Sequence, residues 1–91
     1  MIKFSAILTT EAALKAVEKN GYALQYVRDQ TEAVCLKAVE ETGYALQYVR
    51  DQTEAVCIKA VESDIDALQY VLDLNLFLTI AAKFNFETDQ K

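Results

Sequence analysis

Residues 21–40, GYALQYVRDQTEAVCLKAVE, return at 43–62 with one change, Leu36 becoming Ile58. A duplication this close restricts the chain to folds in which a 22-residue unit packs against copies of itself. At the same offset, Thr9, Leu14, Lys15, Ala16, Val17 and Glu18 match Thr31, Leu36, Lys37, Ala38, Val39 and Glu40. Downstream, Ala67, Leu68, Gln69, Tyr70, Val71 and Asp73 match Ala45, Leu46, Gln47, Tyr48, Val49 and Asp51, after which the match decays. The chain therefore divides into copies at 1–20 (partial), 21–42, 43–64 and 65–86 (degenerate) within a single domain, 1–91. A chain of 91 residues has material for one core only.

With no proline and two glycines, the connections must be short. Two positions of the unit carry side chains suited to helix N-caps: Thr9, Thr31, Thr53 and Asn75 at one, Asn20, Thr42 and Asp64 at the other. Each unit is thus expected to be a helical hairpin, with helices near 21–29 and 32–41 joined by two or three residues. The fold class is all-α, with tandem short hairpins stacked as a small solenoid or compact bundle. At 100° per residue the first helix gathers Ala23, Leu24 and Val27 on one side and Tyr22, Gln25, Tyr26 and Asp29 on the other. The second spreads Ala33, Val34, Cys35, Leu36, Ala38 and Val39 widely, leaving Lys37, Glu40 and Glu41 as a polar strip. Gly21 and Gly43 become Ile65 in the third copy, which argues against an obligatory left-handed glycine.

The pattern of Ala23, Leu24, Tyr26, Val27, Thr31, Ala38, Val39 and Gly43, with their partners 22 residues on, resembles a tandem helical-repeat family known as a domain of unknown function, number 4116. The resemblance covers about residues 9–73. It implies the architecture and brings no activity with it.

Function is bounded mostly by exclusion. There is no histidine, so the commonest general base and metal ligand is missing, and Cys35 and Cys57 form no CxxC. They read as buried small hydrophobes. No phosphate-cradling or nucleophile-elbow motif occurs. The cluster Glu62, Asp64 and Asp66 reads as a helix N-terminus before a cation site. No enzyme, cofactor or metal is expected. A net charge of −5 with no run of Lys or Arg disfavours direct nucleic-acid contact. The apolar run 74–84 is too short for a membrane span, and Met1–Leu8 lacks the marks of a secretory signal, so a cytoplasmic protein is expected.

What remains is binding. The first helix repeats an aromatic and polar face of Tyr22, Gln25, Tyr26 and Arg28, then Tyr44, Gln47, Tyr48 and Arg50, residue types favoured at interface hot spots. Tyr26, Tyr48 and Tyr70 can equally wedge between units as structural residues. This predicts a non-catalytic protein-interaction module, its partner another protein. The alternative is a small acidic inhibitor from a phage or mobile element, acting in the host cytoplasm. Like an anti-CRISPR protein, it would imitate nucleic acid through Asp29, Glu32, Glu40, Asp51, Glu54 and Glu62. Apolar residues crowd the final copy, so either its helix folds across the end of the stack and closes the core, or two chains meet there as a homodimer through Phe77, Ile80 and Phe84.

Overall fold

The computed structural model describes residues 10–84. Short α-helices alternate with six-residue 3-10 helices: α1 (Thr10–Lys19), η1 (Gly21–Tyr26), α2 (Glu32–Glu41), η2 (Gly43–Tyr48), α3 (Glu54–Ser63), η3 (Ile65–Tyr70) and α4 (Leu74–Lys83). The chain is all-α, and no strand occurs among the described residues. Helices α1, α2 and α3 lie side by side in one layer, and η1, η2 and η3 in a second.

The first helix of each unit is therefore not an α-helix reaching residue 29. It stops at Tyr26, and Val27 follows with an extended backbone, φ −86° and ψ 119°. A local competitor explains the tighter winding. The Gln25 side-chain Nε2 donates to the Tyr22 carbonyl at 3.1 Å, filling the acceptor that an α-turn would have offered to Tyr26. Gln47 and Gln69 do the same to Tyr44 and Asp66, both at 3.0 Å. With three residues per turn, positions i, i+3 and i+6 line up, so Gly21, Leu24 and Val27 are buried together, as are Gly43, Leu46 and Val49. Ala23, expected on that line, is only half-buried.

The connections also differ from two or three residues. Residues 27–31 separate η1 from α2, and Thr42 alone separates α2 from η2. In α2 the buried stripe is Val34, Cys35, Ala38 and Val39, and in α3 it is Val56, Cys57, Ala60 and Val61. Ala33, expected in the core, is exposed, and Leu36 is half-buried. Four residues spaced i, i+1, i+4 and i+5 suffice because only one α-helix packs on each side of α2. Lys37, placed in the polar strip, is half-buried with Nζ 3.9 Å from Glu18 Oε2 and 3.8 Å from Glu40 Oε1.

Capping follows the sequence at most positions. Thr31 and Thr53 Oγ1 accept from the N–H groups of Val34 and Val56, each at 3.3 Å. Asn20 and Asp64 cap η1 and η3, accepting from Tyr22 and Asp66 at 3.0 Å. Thr42 makes no side-chain cap bond; its methyl lies against Gly21 instead. Asn75 is not a cap either. Helix α4 starts one residue before it, and Asp73 Oδ1 accepts from the Leu76 N–H at 3.0 Å. Thr9 lies outside the described residues.

Neither glycine is left-handed. A Cβ on Gly21 would stand 2.3 Å from Thr42 Cγ2 and 2.6 Å from the Ala38 carbonyl oxygen. One on Gly43 would stand 2.4 Å from the Ala60 carbonyl oxygen. Glycine lets a 3-10 helix touch the α-helix that follows it. Ile65 forbids the same approach by α4, which meets α3 and η3 sparsely, so Ile65 remains 50 % exposed. An open groove of about 460 Å³ results, lined by Ile65, Asp66, Leu68, Gln69 and Phe77.

Candidate functional site

The face of the 3-10 layer is built by contacts that cross from one unit to the next. The Tyr22 ring meets the Tyr48 ring edge-on, with centroids 6.2 Å apart and planes at 85°. Tyr44 and Tyr70 repeat the arrangement at 5.7 Å and 65°. Tyr44 Oη also donates to Asp66 Oδ2 at 3.2 Å. Partial desolvation, then the charges of Asp66 and Asp64 and this hydrogen bond, raise the Tyr44 pKa above its ordinary value.

Each tyrosine of the candidate set therefore has a defined place. Tyr22 and Tyr44 are bound into ring pairs with Tyr48 and Tyr70, so both tyrosine positions take part in unit-to-unit contact. Tyr44, Tyr48 and Tyr70 are half-buried, Tyr22 is 38 % exposed, and Tyr26 is 58 % exposed. Gln25 and Gln47 are exposed, each with its amide nitrogen engaged within its own 3-10 helix. Arg28 and Arg50 are exposed too, but they differ. Arg50 Nη2 reaches back to the Val27 carbonyl at 3.2 Å and to the Arg28 carbonyl, whereas Arg28 makes no such bond among the described residues.

The residues that hold the face in register are ones the sequence reading passed over. Gln30 Nε2 donates to the Tyr48 carbonyl at 2.9 Å and to the Leu24 carbonyl at 3.4 Å. Its Oε1 accepts from the Arg50 N–H at 3.0 Å and lies 3.8 Å from Cys35 Sγ. Gln52 does the same one unit on, to Leu46, Tyr70, Leu72 and Cys57. The available signal was a glutamine, identical in both copies, directly before a capping threonine.

Both cysteines are free and buried, and burial is the main cause that pushes each thiol up to about 11. The acidic cluster is taken up in structure: Asp64 caps η3 and Asp66 accepts from Tyr44. No group of three or more His, Cys, Asp or Glu side chains among the described residues is placed to hold a metal ion. None of the helices among those residues is long and apolar enough to cross a membrane.

The residues expected at a dimer interface are not the exposed ones. Ile80 is fully buried within the chain, and Phe77 and Phe84 are half-buried against its core. Helix α4 turns that side inward, against the end of the core. It leaves Leu74 at 69 % and Leu78 at 55 % exposure, beside Leu72 at 78 %.

Fold and face together define an all-α protein in which α-helices starting at Thr10, Glu32, Glu54 and Leu74 alternate with 3-10 helices starting at Gly21, Gly43 and Ile65. The family described as "Domain of unknown function (DUF4116)" matches residues 10–53 of the chain. The match ends at Thr53, short of the 73 that the sequence pattern suggested. Neither the curated proteins nor the solved structures yield a match to the chain.

Proposed function

We propose that the protein is a non-catalytic interaction module of stacked helical units that binds another protein through the exposed face of its 3-10 layer. One observation carries this reading. Tyr22, Gln25, Tyr26, Arg28, Gln47 and Arg50 are exposed on a layer whose register is fixed by ring pairs and by the Gln30 and Gln52 side chains. A rigid face of tyrosine, arginine and amide groups offers contact area at little cost in conformational entropy. Its two free, buried thiols fit a reducing cytoplasm.

The test is capture of a partner from lysate, followed by calorimetric titration of the purified pair. Tyr26→Ala combined with Arg28→Ala removes exposed side chains that make no hydrogen bond among the described residues, and should weaken binding at least tenfold. Unchanged affinity would remove the face from the reading.

A second reading draws on another observation: Asp29, Glu32, Glu40, Asp51, Glu54 and Glu62 are all exposed. Such carboxylates would suit a phage-encoded acidic inhibitor that occupies a nucleic-acid site on a host enzyme. Binding by that surface falls steeply with added salt, whereas binding by the tyrosine face tolerates it.

A further inference from the structure

One small polar gap is filled twice by a side chain, and a third copy of it has no bridging side chain among the described residues. The gap lies at the end of each 3-10 helix, where an extended valine follows the last tyrosine. At Val49 the angles are φ −81° and ψ 119°, and at Val71 they are −74° and 122°. That conformation aims the tyrosine carbonyl and the N–H two residues on toward one side. A single carboxamide bridges them: Gln30 spans Tyr48 O and Arg50 N, and Gln52 spans Tyr70 O and Leu72 N, with all four bonds between 2.9 and 3.0 Å.

Val27, at −86° and 119°, has the same conformation, so Tyr26 O and Arg28 N form the same acceptor and donor pair. Among the described residues no side chain bridges them. By register the bridging position is residue 8, and leucine, which stands there, has no side-chain carboxamide. Two neighbouring groups are open in the same way. Tyr26 keeps 58 % of its surface exposed, where Tyr48 and Tyr70 are covered by Tyr22 and Tyr44. Arg28 makes none of the carbonyl contacts that Arg50 makes to Val27 and Arg28.

We infer that the edge Tyr26–Val27–Arg28 is a docking site for a glutamine side chain of a protein partner, presented as Gln30 and Gln52 are presented within the chain. The fitting partner is a polypeptide that carries an intact edge of the same unit, with a tyrosine eight residues before the glutamine to meet the Tyr26 ring. The carboxamide bridges Tyr26 O and Arg28 N, and the Arg28 guanidinium takes the partner's carbonyls. A second copy of this chain does not offer that edge at its last unit, where Leu74 stands for the glutamine and Asp66 for the tyrosine. This inference deepens the protein-binding reading of the same face and names what the face recognises.

The test uses the whole chain, labelled with nitrogen-15, and a blocked peptide of sequence GYALQYVRDQT as the probe. Titration to low-millimolar peptide should shift the amides of Val27 and Arg28, and a peptide with leucine for its second glutamine, the counterpart of Gln30, should bind roughly tenfold more weakly. The Tyr26→Ala chain should also bind the probe more weakly, with its spectrum otherwise unchanged. Equal binding of the leucine peptide would overturn carboxamide recognition while leaving the tyrosine face as an interaction surface. Shifts confined to another region, or none at all, would overturn the site itself.

Discussion

The Gln30 side chain donates to the Tyr48 carbonyl at 2.9 Å, across the boundary between two copies of the unit. Because its oxygen also accepts from Arg50 N, one side chain satisfies both a donor and an acceptor of the neighbouring unit. Replacing it with leucine leaves both without that partner, as does Gln52→Leu one unit on. Each substitution should cost about 1–3 kcal/mol, read as a lower urea midpoint at constant slope. Unchanged midpoints would mean that apolar packing alone sets the register.

The close approach at the glycines predicts that Gly21→Ala and Gly43→Ala destabilise, although alanine is the better helix former. The added Cβ would meet backbone carbonyl oxygens at 2.6 and 2.4 Å, so overpacking by about 1–3 kcal/mol should dominate. Ile65→Gly, at the equivalent exposed position, should change stability far less. If all three substitutions behave alike in thermal melts, the contact between 3-10 and α-helices is not limiting.

Caps separate into two groups. Thr31→Ala and Thr53→Ala should each lose about 0.5–2 kcal/mol, since each removes a bond to a helix-start N–H. Asp73→Ala should lose a similar amount, and Asn75→Ala little, because Asp73 and not Asn75 caps α4. Chemical denaturation of the four variants checks the ordering, and an Asn75 effect as large as that of Asp73 would contradict the start of α4.

Alkaline pH should destabilise the fold. The Cys35 and Cys57 thiols titrate at about 11 when folded, against an ordinary 9.0, so the folded state holds these protons more tightly. Their contribution is intact below pH 9 and is lost as pH rises through 11. The raised Tyr44 pKa acts with the same sign from about pH 10 upward. Urea midpoints should fall across this window, and less so in a Cys35→Ala, Cys57→Ala chain measured against its own value at pH 8. A midpoint independent of pH up to 11 would show that the thiols ionise without opening the core.

The last helix divides into an inner and an outer side. Ile80→Ala should cost about 2–5 kcal/mol, as for other buried large-to-small changes. Leu74→Glu with Leu78→Glu should leave the melting curve nearly unchanged. Light scattering on the same samples shows whether chains associate. If they do, the double variant separates an interface on Leu74 and Leu78 from one elsewhere.

The sequence alone determined the all-α class, the caps at Thr31 and Thr53, and the burial of Val34, Cys35, Ala38 and Val39 in α2, though not the exposure of Ala33. These follow from chain-local chemistry, since hydrophobic spacing and capping side chains act within a few residues. The aromatic face was legible too, as a row of residue types. The six-residue 3-10 helix that opens each unit also has a local cause, the glutamine amide that takes the carbonyl an α-turn needs, but hydrophobic spacing does not reveal that contest. The role of Gln30 was also hidden: its partners lie 18 and 20 residues away, and only the packed units bring them within hydrogen-bond reach. The reason for glycine at 21 and 43, and for the outward turn of Leu74 and Leu78, is likewise the presence or absence of a neighbouring helix. Such a neighbour exists only once the chain has folded.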